Sequence, residues 1–168
     1  MRFFKLSVIL LLLASFSGCI KHSESPLRRK FKGNPEEIAK LRRVTPNLMV
    51  ENVNQTIDFY EKTFGFEPIV TIPDTGKFSR AILAFGRVEI MLQSRESFSE
   101  EFGIYKNPPA GGTVSLFFQV SNIVPLYDKV SVKTTIVREL HQTFLGTKEF
   151  SAKDNNGYIL TFSEALKK

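Results

Sequence analysis

The chain has 168 residues, 42% hydrophobic and 24% charged, with 16 Phe, no Trp, two His and a single Cys. Its formal charge of +6 is carried near the amino terminus, because residues 44–168 hold 13 Lys and Arg against 14 Asp and Glu. That balance argues against a nucleic-acid surface on the folded part, and one cysteine excludes an intramolecular disulfide.

At the amino terminus Arg2 and Lys5 precede the apolar run LSVILLLLASF, and the small residues Ser17 and Gly18 follow it. A positive lead, an apolar run of about ten residues and small residues at its end mark a secretory signal peptide over residues 1–18. The run falls short of the roughly 20 apolar residues that span a bilayer. Phe16-Ser17-Gly18-Cys19 resembles a bacterial lipobox, with Phe16 where leucine is usual. The resemblance implies cleavage before Cys19, a lipid on its sulfur and an exported, membrane-anchored lipoprotein of the cell envelope, on the periplasmic side or the cell surface. Two or three acyl chains hold such an anchor stably. Residues 19–43 then read as the lipidated Cys and a basic linker, with eight Lys and Arg against three Glu over residues 20–43. A linker of that charge either attracts anionic head groups or serves as a solvated spacer.

Residues 44–168 are enough for one domain with its own core. RVTPNLMVENV reads as a strand, and Asn54 is placed to cap the helix QTIDFYEKTFG, where Ile57, Phe59 (or Tyr60) and Phe64 recur at near-helical spacing. Three strands follow, FEPIVTI, SRAILAF and VEIMLQ, the last two joined at Gly86-Arg87. SRESFSEEFGIYKNPPAGG reads as a polar connector. The order then repeats: the strand TVSLFFQVSNI, the helix VPLYDKV, and the strands TTIVREL, KEFSAKD and YILTFSE, the last pair joined at Asn155-Asn156-Gly157. Val120-Ser121-Asn122-Ile123 echoes Val50-Glu51-Asn52-Val53. The expected fold is therefore α+β, two paired βαβββ repeats (44–93 and 113–164) forming a curved mixed sheet around a cleft, since neither repeat buries a sheet face alone.

LMVENVNQTIDFYEKTFGFEP and KDNNGYILTF, at this spacing, resemble the opening and closing motifs of the glyoxalase, bleomycin-resistance and extradiol-dioxygenase (vicinal oxygen chelate) superfamily. The likeness covers residues 44–164. It implies four metal-ligand places, on the first and last strand of each repeat, drawn from His, Glu and Gln in the metal-dependent members. Here those places fall on Thr45, Ser115 and Thr161, with Glu89 as the fourth and only one of a ligand type. Hydroxyls of Thr and Ser are poor donors for Zn, Ni or Fe. His22 lies in the linker and His141 in RELHQTF, neither on a ligand strand. No metal and no cofactor is therefore expected.

Alternation in VEIMLQ sends Val88, Ile90 and Leu92 to one face and Glu89, Met91 and Gln93 to the other. The second set is expected to face the cleft with Asn47, Met49, Ser115, Phe117, Gln119 and Thr161, a mixed apolar and polar lining of the kind that holds small ligands. Glu89 there suits a cationic ligand, a general base or a structural carboxylate. The leading reading is a membrane-tethered, metal-independent small-molecule binding protein of the glyoxalase/bleomycin-resistance type, whose relatives often pair as dimers. A lyase or isomerase using Glu89, or an interaction module for another envelope protein, are the alternatives.

Overall fold

Asn52 starts the first helix. Its backbone is extended and its side chain accepts from the Gln55 amide at 3.0 Å, which satisfies one of the donors a helix leaves free at its start. The cap is thus Asn52 and not Asn54, whose side chain latches the following loop through Gly76 O and the Phe78 amide. In the computed structural model, which describes residues 42–103, 109–112 and 114–166, the first repeat comprises β1 (Asn47–Val50), α1 (Val53–Thr63), β2 (Glu67–Ile72), β3 (Arg80–Phe85) and β4 (Val88–Ser94). A short helix, α2 (Arg95–Glu101), follows, and the second repeat is β5 (Ser115–Gln119), α3 (Ile123–Ser131), β6 (Ile136–Gln142), β7 (Thr147–Lys153) and β8 (Ile159–Ala165). The proposed signal peptide, Cys19 and the linker as far as residue 41 lie outside the described residues.

Each repeat makes its own four-stranded mixed sheet, in the orders β1-β4-β3-β2 and β5-β8-β7-β6. The first pair in each is parallel and the others antiparallel. The two βαβββ units and the α+β class are as expected. The α2 helix is not: a short polar sequence in the connector, capped by Ser94 on the Ser97 amide, carries no apolar period to announce it.

Leu48, Val50, Ile90 and Leu92 of the first sheet, and Leu160 and Phe162 of the second, are buried in one apolar core with Ile57, Tyr60, Ile123 and Val130 of the helices. Across the repeats Phe64 meets Phe162 at 5.6 Å between ring centroids, and Phe66 meets Phe118 at 6.2 Å. Such pairs add about 0.5–1.5 kcal/mol each beyond the area they bury. Exposed ion pairs such as Lys62–Asp58 are each worth about 0–1 kcal/mol, so the aromatic seam contributes more than they do.

Polar contacts fix the register of that seam. Asp154, at the β7–β8 turn and 4% exposed, accepts from the Tyr60 hydroxyl of α1 at 2.8 Å and from the Tyr158 and Asn156 amides at 2.7 and 2.9 Å. The Tyr158 hydroxyl donates to Met49 O at 2.9 Å, and Asn156 bonds both the Glu51 amide and the Thr56 hydroxyl. The turn of the second repeat is therefore pinned to the β1–α1 junction of the first. Gly111 packs against this turn so closely that a Cβ there would stand 2.6 Å from Asn156 O, a distance only glycine avoids.

Burial pushes the Asp154 carboxyl up from its ordinary value, against the downward pull of the Tyr60 hydroxyl and the amides. Burial likewise raises the Tyr60 phenol, and the Asp154 charge adds to it. A raised native value means that the folded chain holds this proton more tightly than the unfolded chain. The stabilising contribution is full below the ordinary carboxylate value and is lost as pH rises through the raised one. Urea denaturation from pH about 4 to about 7 should accordingly show Asp154→Asn gaining on the wild type as pH rises. Asp154→Ala, which strands the Tyr60 hydroxyl, should lose about 1–3 kcal/mol at pH about 4, a deficit that narrows as pH rises.

Candidate functional site

The faces of the sheets opposite the helices carry the residues expected to bind a ligand. In β4, Ile90 and Leu92 are buried in the core while Glu89, Met91 and Gln93 point the other way, as the alternation requires. Strand pairing aligns these residues in rows. Asn47 stands beside Met91 and Met91 beside Ile82; one step along, Met49 stands beside Gln93 and Gln93 beside Arg80.

The Met49–Gln93 end is closed. Gln93 is fully buried, accepts from the Asn47 amide at 2.6 Å, and donates to the Ser97 hydroxyl at 3.1 Å and the Glu101 carboxylate at 2.9 Å. Arg80 pairs with the same Glu101 and donates to Ser97 at 3.3 Å. The α2 helix therefore lies over this end and is clamped by a satisfied polar network. Gln93 and Met49, expected in the cleft lining, are structural here because α2 covers them. Met91 lines only a shallow depression of about 90 Å³ with Val70, Ile72 and Ile82.

The other end is open. A groove of about 690 Å³ runs from Val44 and Pro46 along the start of β4 to β5, and brings together Glu89, Ser115, Phe117 and Gln119 of the expected set. Phe117 is 59% exposed and supplies an apolar wall. The Glu89 carboxylate accepts from Arg43 at 2.5 Å, with 21% of its side chain accessible. Thr161 is not in the groove; its hydroxyl shares a 2.9 Å hydrogen bond with Ser151 of β7. The structure thus gathers four of the nine expected lining residues and parts the rest among a covered end, a depression and a neighbouring strand.

Strand register corrects the ligand places. Thr161 stands beside Phe117 and Ile159 beside Ser115, whereas Met91 stands beside Asn47. Since Asn47 and Phe117 are equivalent through Val50 and Val120, the counterpart of Thr161 in the first repeat is Met91. Glu89 corresponds to Ile159 and does not complete the set, so the four places hold Thr45, Met91, Ser115 and Thr161. Among the described residues no group of three or more His, Cys, Asp or Glu converges as a metal site would require.

The second sheet holds groups that sequence reasoning missed. His141 lies in β6, directly across from Glu149, which stands beside Ser163. Its Nδ1 lies 2.8 Å from Glu139 O, and its Nε2 is buried with no partner among the described residues. Glu149 accepts from the Thr147 and Ser163 hydroxyls at 2.8 and 3.0 Å. The signal was the alternation in KEFSAKD, which puts Glu149 and Ser151 opposite the core residues Phe150 and Ala152.

Residues 40–162 match the sequence profile of the glyoxalase/bleomycin resistance protein/dioxygenase superfamily. The chain belongs to that superfamily. The fold is similar to that of TioX from Micromonospora sp. ML1, at TM-score 0.61 and 20% identity, covering 74% of this chain and 99% of the other. A virulence protein from Salmonella typhimurium is similar at TM-score 0.58 and 25% identity, covering 76% and 100%. A glyoxalase/bleomycin resistance protein/dioxygenase from Nocardioides is similar at TM-score 0.61 and 14% identity, covering 79% and 89%. No curated protein matches the sequence. In this superfamily the fold is shared by different chemistries, so the side chains of the groove decide the function.

Replacing Gln93 by Leu leaves the Asn47 amide and the Glu101 carboxylate each short of a partner. The expected cost is about 2 kcal/mol, read as a lower urea midpoint. Limited proteolysis within α2 should quicken in the same variant.

Proposed function

We propose that this superfamily member is a membrane-tethered, metal-independent protein that binds a small molecule in the groove between β4 and β5. The groove carries the reading: about 690 Å³, with an exposed aromatic wall at Phe117 and polar groups at Glu89, Ser115 and Gln119. That size and mixture suit a ligand site. The donor set supports metal independence, since Thr45, Met91, Ser115 and Thr161 offer hydroxyls and a thioether where metal-dependent relatives place His, Glu or Gln. Hydroxyls and a thioether hold Zn, Ni or Mn poorly. Glu89 is suited to a ligand with a cationic or hydroxyl donor, which would share or displace Arg43. Proton transfer by Glu89 in a lyase or isomerase is the weaker reading, because Arg43 already occupies the carboxylate.

The tether rests on the Phe16–Cys19 sequence alone. A second copy of the chain is the proposed partner, because the edge strand β2 leaves Ile69, Val70 and Ile72 exposed and unpaired edges of this kind invite pairing.

A thermal-shift screen of cationic and polyhydroxylated small molecules tests the groove, with Ser115→Trp as the blocked variant. At least one ligand should raise the wild-type melting temperature and fail to raise that of Ser115→Trp. Equal shifts in both proteins would place the ligand elsewhere. Cys19→Ser should move the chain from the membrane to the soluble fraction, and a chain still in the membrane would contradict the tether.

A further inference from the structure

A second cavity, of about 380 Å³, lies where the end of α1, the β3–β4 turn and α3 meet. Its walls are five phenylalanines: Phe64, Phe66, Phe85, Phe118 and Phe162. Phe118 and Phe162 are stacked at 5.3 Å, and Phe66 lies 5.8 Å from Phe85 between ring centroids. These rings belong to the core side of the sheets, not to the face that carries Ser115 and Thr161. Val88, Phe118 and Gln119 also border the groove, but Phe64, Phe66, Leu126 and Ser121 belong to the cavity alone.

An interior of this composition would ordinarily be filled, because an apolar void forfeits the dispersion contacts its lining could make. Here Phe85 is 56% exposed at the mouth. The polar residues of the lining are few, Gln119 and Ser121.

A charge stands near Phe85, just outside the lining residues. A methyl group placed on Gly65, between the wall residues Phe64 and Phe66, would lie 3.5 Å from the Lys129 ammonium and 3.7 Å from the Phe85 ring. Lys129, in the last turn of α3, forms no ion pair among the described residues. An unpaired ammonium beside an apolar wall attracts an anion more strongly than one in open water, since the wall lowers the local dielectric.

We infer that this cavity is a second ligand site, which takes an amphipathic organic anion: an aromatic or acyl body against the phenylalanines and a carboxylate or sulfonate on Lys129. The rings provide edge and face contacts for an aromatic body. The volume falls in the range of pockets that enclose small ligands. The cavity shares Val88, Phe118 and Gln119 with the groove, but its assignment does not rest on a ligand in the groove.

Anilinonaphthalene sulfonate is the anionic probe and phenylnaphthylamine its uncharged counterpart, each titrated by fluorescence into the folded full-length chain. The expected result is one saturable site for both. Lys129→Glu should weaken the sulfonate at least about tenfold and leave the amine within about twofold, the cost of one charge-assisted contact. Ser121→Trp, an exposed substitution that fills the cavity, should abolish both, while Ser115→Trp in the groove leaves both unchanged. Decanoate should compete with the sulfonate. Equal weakening of both probes by Lys129→Glu, indifference to Ser121→Trp, or loss in Ser115→Trp would each overturn the assignment. Circular dichroism of each variant shows that it is folded before its titration is read.

Discussion

The hydrogen bond from Tyr60 to Asp154 joins the two halves of this protein, and the geometry of the groove depends on it. Two sheets that share no strand pairing are otherwise related by apolar packing, which fixes proximity but not register, and by the Tyr158 and Asn156 contacts of the same turn. The carboxylate at the β7–β8 turn, fed by Tyr60 and by its own backbone amides, sets that register. Desolvating a carboxylate is costly, and its raised proton affinity is the trace of that cost. What it supplies is directional: β5 is held along the start of β4, so Ser115 and Phe117 come to line one groove with Glu89.

The two sequence stretches that marked the superfamily are the two partners of this bond. Tyr60 lies in DFYEKTFGF and Asp154 in KDNNGY, and the glycine turn after Asp154 brings Tyr158 back to Met49. Their recurrence at a fixed distance is thus a statement about how one repeat docks on the other. The strands were legible for a similar reason. Alternation in VEIMLQ and the echo of Val50 in Val120 are both consequences of a buried face, and the buried face is present in both repeats.

Other features were not legible, each for a physical reason. The α2 helix is short, polar and held by the Gln93–Glu101 and Arg80–Glu101 contacts, which no local pattern encodes. It is what removes Gln93 and Met49 from the cleft. The equivalence of Thr161 to Met91, and not to Glu89, depends on parallel register between strands some forty residues apart, which a count from a glycine turn does not give. The helix starts also differ beneath a shared motif: Asn52 caps α1 with its own side chain, whereas Asn122 adopts a left-handed backbone and Glu164 accepts from the first amides of α3.

The proposed function rests on the groove lined by Glu89, Ser115 and Phe117, and its metal independence on Thr45, Met91, Ser115 and Thr161 at the ligand places. The measurement that tests it most directly is isothermal titration of Zn, Ni and Mn into the chain, with Glu89→Gln alongside. Heats that do not saturate with any of the three metals are the predicted result. Stoichiometric binding at micromolar affinity or tighter would contradict the account. Loss of that binding in Glu89→Gln would put a metal in the groove itself.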